Sequence, residues 1–491
     1  MSQPQATTSP SAAGGASPAA TPTVTPCPCA TDFVLTAPCR ILKAGGGAVQ
    51  MSATEMPGCS AGTYAWTTTS ANITLSNANS ATVTVTPGAT PSASRDAETI
   101  TVTRTFAGCP NIVKTVTVTV AKVTFSASPN QRYGYDDFDT PANPLDDHIC
   151  IKQLDYTFLH VTIQGGALGT DFDFVCDDAS ICTAVAPGGT ASFDLRLNAG
   201  DKTKNDTPLK AKVKCPSAES FTQIQVHVYK ETPVEVVVAK IQDGTVAARP
   251  LPTALNFPNA DYAGQTDTIN AKMKEAVVKY TITNYDAANA VTSVHFDLDG
   301  NGALSYDINN NGGPELDAIN AAITGAGTKI RVAIIKDMKS FYYLSAAAAV
   351  GDRTVTVTAG SVFTYPGGSY PLGADASLEN VSVASSAGST ITLGGPLTKA
   401  HAAGEALEFP ASGWSSDPIL VTEGTSTFDV LKWTIAHEAG HRKLTLADID
   451  NDLTTIMYYS RSRTDYRLRY CPRTKRYAPG GTENQWETIP R

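Results

Sequence analysis

The chain has 491 residues, length for two to four domains of ordinary size, each able to bury its own core. Apolar residues are 42% and charged residues only 17%, with a formal charge of -9, which excludes wholesale disorder and non-specific nucleic-acid binding by the chain as a whole. No uncharged run approaches the roughly 18 apolar residues of a membrane-crossing helix, so no membrane span is expected.

Residues 1–26 are Ala, Ser, Thr and Pro, the composition of a flexible arm. Residues 27–122 alternate with period two in Ala81–Thr86, Glu98–Arg104 and Ile112–Val120, and Trp66 stands between Cys59 and Cys109. That pattern resembles an immunoglobulin-like β-sandwich. Residues 123–232 repeat it in Tyr156–Ile163, Ala191–Leu197 and Thr222–Tyr229, so a second β-sandwich is expected. Two disulfides are anticipated there among Cys150, Cys176, Cys182 and Cys215. Asp146, Asp147 and His148 read as a solvated loop rather than a metal site.

Ten cysteines without a CxxC pair argue for bridges and an oxidising compartment. The N-terminus, MSQPQATTSPSAAGG, has neither a basic n-region nor an apolar h-region. Together these features point to a secreted or extracellular protein that leaves the cytoplasm without a cleavable signal, as cargo of a secretion or injection apparatus.

From residue 233 the periodicity changes. Val234–Lys240, Val291–Leu298 and Lys329–Lys336 read as strands. Asp267–Tyr280 and Glu315–Thr324 read as helices, the first with Ile269, Met273, Ala276, Val277 and Tyr280 on one face. Residues 233–341 therefore read as the first part of an α/β domain and 411–491 as the second. Residues 342–410 interrupt it as a β-rich insertion. Its text Ala387–Gly404 resembles small β modules of phage-tail and bacterial surface proteins, which assigns His401 a structural role.

The sharpest motif is His437-Glu438-Ala439-Gly440-His441. On a helix the two histidines lie one turn apart on one face, so both imidazoles can reach one Zn²⁺, with Glu438 beside them to take a proton from a metal-bound water. The text HEAGHRKLTLADIDNDLTTIMYY resembles the metzincin zinc metallopeptidase signature, in which HExxHxxGxx(H/D) precedes a methionine turn. The resemblance covers about 190 residues and implies a zincin-like catalytic domain, a third ligand and a methionine under the metal. It implies Met457 for the methionine and Tyr459 as an electrophilic helper. Leu444 replaces the usual glycine, and Ala447 occupies the usual third-ligand position, so Asp448 is the chosen ligand, with Asp450 and Asp452 as alternatives.

Asp297, Asp299 and Asn301 open a D-x-D-x-N-G calcium-loop pattern, with Ile308 where an EF-hand needs Glu; Glu315 and Asp317 follow. These oxygens form a candidate Ca²⁺ site. Nothing resembles a phosphate loop, a serine nucleophile elbow or a Cys/His dyad.

The expected class is thus multidomain: two N-terminal β-sandwiches, then an α/β zincin-like catalytic domain carrying a β-rich insertion. The expected function is a zinc-dependent endopeptidase acting on protein or peptide substrates, with Glu438 as general base. The alternatives are a degenerate zincin serving as a cell-surface or assembly-associated binding protein, and a structural part of a phage-like assembly.

Overall fold

Alternating Val and Thr place apolar side chains on one face of a strand and hydroxyls on the other, and this pattern builds most of the molecule. The structure is a computed structural model. It describes residues 33–57, 62–107, 109–136, 147–185, 188–202, 205–216, 219–243, 269–286, 291–308, 312–335, 337–358, 368–410, 413–414, 417–422, 428–447, 457, 474–475, 482–483 and 485–490. The chain divides into two compact units, the first comprising Met1–Val123, Ile163–Phe172 and Val213–Phe221.

The first unit contains an immunoglobulin-like sandwich. One antiparallel sheet runs in the order Phe33–Thr36, Val49–Glu55, Thr82–Pro87, Ile73–Ser76. Opposite it, Glu98–Thr105 pairs antiparallel with Thr63–Thr68 and with Ile112–Ala127. Val83, Val85, Ile100, Val102, Val116 and Val118 meet in the core with Trp66. The Trp66 indole N–H donates to the Ser80 carbonyl at 2.8 Å, so its one polar atom is satisfied inside. Cys39 is bridged to Cys215, 176 residues away in sequence.

That bridge corrects the expected pairing in residues 123–232. Only Cys176–Cys182 forms among the four cysteines considered. Cys150 keeps its thiol, which is buried and accepts the Gly134 N–H at 3.2 Å. The solvated-loop reading of Asp147 and His148 is corrected too. Tyr135 donates its hydroxyl to Asp147 at 3.0 Å, and His148 lies on strand His148–Lys152, its Nδ1 3.0 Å from Nε2 of His227. Burial, with the neighbouring His148, depresses the His227 pKa to about 3.

Further along the second unit, a sheet runs in the order Val278–Asn284, Thr232–Asp243, Ile330–Ile335, Ile419–Thr422, Gly413–Trp414. Its pairings are parallel except the last. The helix Pro314–Ala322 buries Leu316 and Ile319 in one core, and the helix Phe428–Leu444 buries Trp433, Ile435, Ala436 and Ala439 in another. The expected helix Asp267–Tyr280 is only partly helical. Within the described residues it is helical at 269–273, tightens at Lys274–Ala276, and becomes the strand Val278–Asn284. Val277 takes a left-handed φ of 58° at the switch.

The insertion text forms a seven-stranded sheet with its own core, including Tyr342, Val355, Tyr370, Val381, Val383, Ile391 and Leu407. Its order begins with Leu304–Asp307 and Met338–Tyr343, so the expected boundary at residue 342 falls inside a strand. The expected α/β zincin-like class is overturned. Of the described residues, 52% are strand and only 11% helix. The strands expected at Val234–Lys240 and Lys329–Lys336 and the helix expected at Glu315–Thr324 do form, but the parallel sheet they build is one element in a β-rich chain.

His401 sits in this module with a fully buried side chain. Its Nδ1 is 2.7 Å from a Glu405 oxygen and its Nε2 2.8 Å from a Glu379 oxygen. Burial alone would raise the Glu379 pKa. Hydrogen bonds from Thr398, His401 and the Thr398 and Lys399 amides overcome it and hold the carboxyl at about 2. Because the folded pKa lies below the ordinary 4.5, the stabilisation is present above about pH 4.5 and lost as pH falls through about 2. Glu379→Gln should therefore destabilise this module by about 1–3 kcal/mol at neutral pH. The loss should shrink between about pH 4.5 and 2 in denaturant titrations. A loss that stays constant across that range would contradict the assignment.

Candidate functional site

The His437 helix lies on the parallel sheet because its apolar residues share one core with Val234, Val236, Val332 and Val421. Tyr280, from the neighbouring strand, donates its hydroxyl to the Ala436 carbonyl at 3.1 Å. Burial pushes that phenol far above its ordinary pKa, so it remains a donor. This bond fixes the helix height next to His437.

His437 and His441 project from the same face, ring centroids 4.7 Å apart and planes at 89°. His441 Nδ1 lies 2.7 Å from the Leu446 carbonyl, and the two Nε2 atoms are 3.1 Å apart. A carbonyl can only accept, so Nδ1 carries the proton and His441 Nε2 presents its lone pair toward His437. Two nitrogens each about 2.0–2.1 Å from a tetrahedral zinc lie about 3.3–3.4 Å apart, so the pair fits one ion with a small adjustment. Glu438 completes a cluster whose potential ligand atoms all lie within 4.8 Å of one another. His437 and Glu438 are 6% and 9% exposed, so the cluster is largely covered.

Met457 is fully buried beneath this helix. A Cβ on Gly440 would stand 2.7 Å from its sulfur, which explains a glycine in the middle of a helix. The helix runs through Leu444, and the turn that follows uses Thr445 at φ 57°, one residue beyond the position where the metzincin signature has glycine. Leu446 then donates its N–H to the Gly440 carbonyl at 3.3 Å and offers its own carbonyl to His441. Asp448, Asp450, Asp452 and Tyr459 lie outside the described residues.

The calcium-like loop brings Asp297 and Asp299 together with Glu315, which was noted in sequence only as lying beyond the pattern. Glu315 accepts the Leu298 and Asp299 amides at 2.8 and 3.3 Å and the Ser305 amide at 2.6 Å. Burial raises its pKa, and the Asp299 charge adds to the rise against those hydrogen bonds. Asn301 turns its carbonyl oxygen back to the Ala303 amide at 2.9 Å, so it serves the turn. The signal that could have promoted Glu315 is its place in the first turn of a helix that starts directly after the loop.

No protein-family model matches the chain, and no curated protein is significantly similar to it. Among solved structures it is similar to the fibronectin(III)-like modules of Clostridium thermocellum CbhA at 11% identity, over 40% of this chain and 94% of that one, with TM-score 0.19. It is similar to the insect immune protein hemolin at 10% identity, over 40% of this chain and 47% of that one, with TM-score 0.18. The adhesin InvE of Yersinia pseudotuberculosis matches at 14% identity, over 40% of this chain and 58% of that one, with TM-score 0.14. The chain thus spans about half the length of hemolin and of the adhesin.

Immunoglobulin-like β character stands; the metzincin resemblance does not. The zinc endopeptidase reading, with Glu438 as general base, Tyr459 as helper and a peptide substrate, is overturned by the strand-dominated architecture. The physical reason is that HExxH specifies two imidazoles on one helical face and nothing about the surrounding fold. Among the described residues no helix is long and apolar enough to cross a membrane.

Gly440→Ala is expected to destabilise the helix and its turn by about 1–3 kcal/mol, because the new methyl meets the sulfur of fully buried Met457, which must shift to admit it. Thermal melting should show a lower midpoint, and the loss in Gly440→Ala/Met457→Ala should be smaller than the sum of the two single losses. An unchanged midpoint in the single variant would show that Met457 moves aside freely.

Proposed function

We propose that this chain is a cell-surface or assembly-associated binding protein, exported from the cytoplasm, that presents β modules to a partner. The observation that carries this reading is modular: the immunoglobulin-like sandwich and the seven-stranded sheet each close a hydrophobic core of their own. Such modules hold loops and strand edges rigidly for recognition.

His437 and His441 hold a divalent ion, Zn²⁺, in this proposal, with Asp448 as third ligand and Asp450 or Asp452 as alternatives. The converging Nε2 atoms, 3.1 Å apart, support it. The covered position of His437 and Glu438 favours an ion that ties the helix to the turn after it. The full-length chain, stripped and reconstituted, should contain about one zinc per molecule by mass spectrometry. His437→Ala and His441→Ala should each abolish it, and Asp448→Ala should weaken it roughly tenfold or more. Casein cleavage by the zinc-loaded chain that disappears in Glu438→Gln would overturn the binding-protein reading.

A Ca²⁺ ion at Asp297 and Asp299, with Glu315 as a further carboxylate, is the second proposal. Their oxygens within 4.8 Å of one another support it, since a cation would compensate the buried Glu315 carboxylate and its neighbour Asp299. Calcium titration should show saturable binding that Asp297→Asn weakens about tenfold or more. Equal affinity in Asp297→Asn and the unsubstituted chain would remove the proposal.

A further inference from the structure

The second unit contains a polar cleft of about 440 Å³ that is separate in chemistry from the histidine pair. Its wall is the turn Gly325–Thr328, and its charged lining is Lys329, Arg331, Arg442 and Lys443 against the single carboxylate of Asp417. In a chain of formal charge -9, four cations facing one acid form a local reversal of sign.

Asp417 does not neutralise them. It lies 3.0 Å from Arg331 and 3.1 Å from Arg442, so one negative charge is shared between two guanidinium groups. Arg331 is also held by the Ile323 carbonyl at 2.9 Å, which orients its fork. Lys329 and Lys443 are exposed and make no ion pair among the described residues. Gly325 and Gly327 take φ of 77° and 62°, with open space where their Cβ atoms would be. Among the described residues, the amides of Gly325, Ala326, Gly327 and Thr328 donate to no protein acceptor. Left-handed residues within a turn splay successive N–H groups into a concave donor array, the arrangement that binds oxyanions.

We propose that this cleft binds a phosphate-class dianion, either free phosphate or a phosphate monoester. A single carboxylate ligand would leave most of the positive charge uncompensated, whereas a phosphoryl group offers two charges and three acceptor oxygens to lysines, arginine forks and amides together. The cleft volume exceeds that of a phosphate ion, which leaves space for the organic part of a monoester. The proposal does not depend on the metal or partner readings above.

The test is isothermal titration of the full-length chain in low-salt buffer with inorganic phosphate and, separately, glycerol 3-phosphate. Saturable one-to-one binding of either supports the site, and the tighter of the two identifies free ion or monoester. The double variant Lys329→Ala/Lys443→Ala should lose roughly tenfold or more in affinity, and added salt should weaken binding in the unsubstituted chain. Asp417→Asn removes the competing carboxylate and should bind more tightly, a gain that general loosening of the fold would not produce. All variants would be checked for an unchanged melting midpoint, with Lys329→Gln/Lys443→Gln replacing any that fails. No saturable binding of either probe, equal binding by the double variant, or weaker binding by a folded Asp417→Asn would each overturn the proposal.

Discussion

Burial of strand Thr232–Asp243 on both faces is the constraint from which the arrangement of the histidine helix follows. Val234, Val236 and Val238 enter one core, while Ala239 and Ile241 enter the other. Parallel strands flank it on both sides, Val278–Asn284 and Ile330–Ile335. A parallel sheet of this kind exposes an apolar surface on each face and must be covered twice. The helix Pro314–Ala322 covers one face and the helix Phe428–Leu444 the other. His437 and His441 therefore reach their place as passengers on a packing element. Ala436 and Ala439 are buried in the same core and, being small, let the helix lie close to the sheet.

Much of the β architecture was legible in the sequence, because period two is a strong signal where one face is buried. The strands Thr82–Pro87, Glu98–Thr105 and Ile112–Ala127 lie where Val–Thr alternation places them. Asp267–Tyr280 shows where periodicity fails. Ile269, Met273, Ala276, Val277 and Tyr280 are all buried in one core, so their apolar character was read correctly. Their spacing, however, fits a helix that ends at a left-handed Val277 as well as one that continues. The β-branched run beyond it, with Val278, Thr281 and Ile282, prefers the strand that the structure forms.

Cysteine and carboxylate partners were less legible, since both depend on chain segments far apart. Cys215 lies near Cys176 and Cys182 in sequence but pairs with Cys39, a contact set by tertiary folding and invisible to spacing. Glu315 joins Asp297 and Asp299 because the helix beginning at Pro314 directs its first turn at the loop, and three loop amides converge on its carboxylate. A pattern written as consecutive loop positions cannot contain that residue. The cationic cleft has the same character: its lining comes from three separate stretches, around residues 325–331, at 417 and at 442–443.

The histidine motif marks the limit of local text most clearly. At Gly440 the Met457 sulfur lies where a Cβ would stand, which favours a residue without a side chain, and the imidazoles of His437 and His441, one turn apart, share a face whatever the helix is for. Those requirements are identical for an ion that activates water and an ion that fastens a turn. What separates the two roles is access to the ion, together with a cleft that holds a substrate against it. The near-complete cover over His437 and Glu438 counts toward fastening. So does the His441–Leu446 hydrogen bond, which joins the helix to the turn after it and leaves His441 Nε2 as the acceptor. An ion held by both imidazoles and by the proposed Asp448 would add a third tie between helix and turn, beside that bond and the Leu446 amide to Gly440 carbonyl contact.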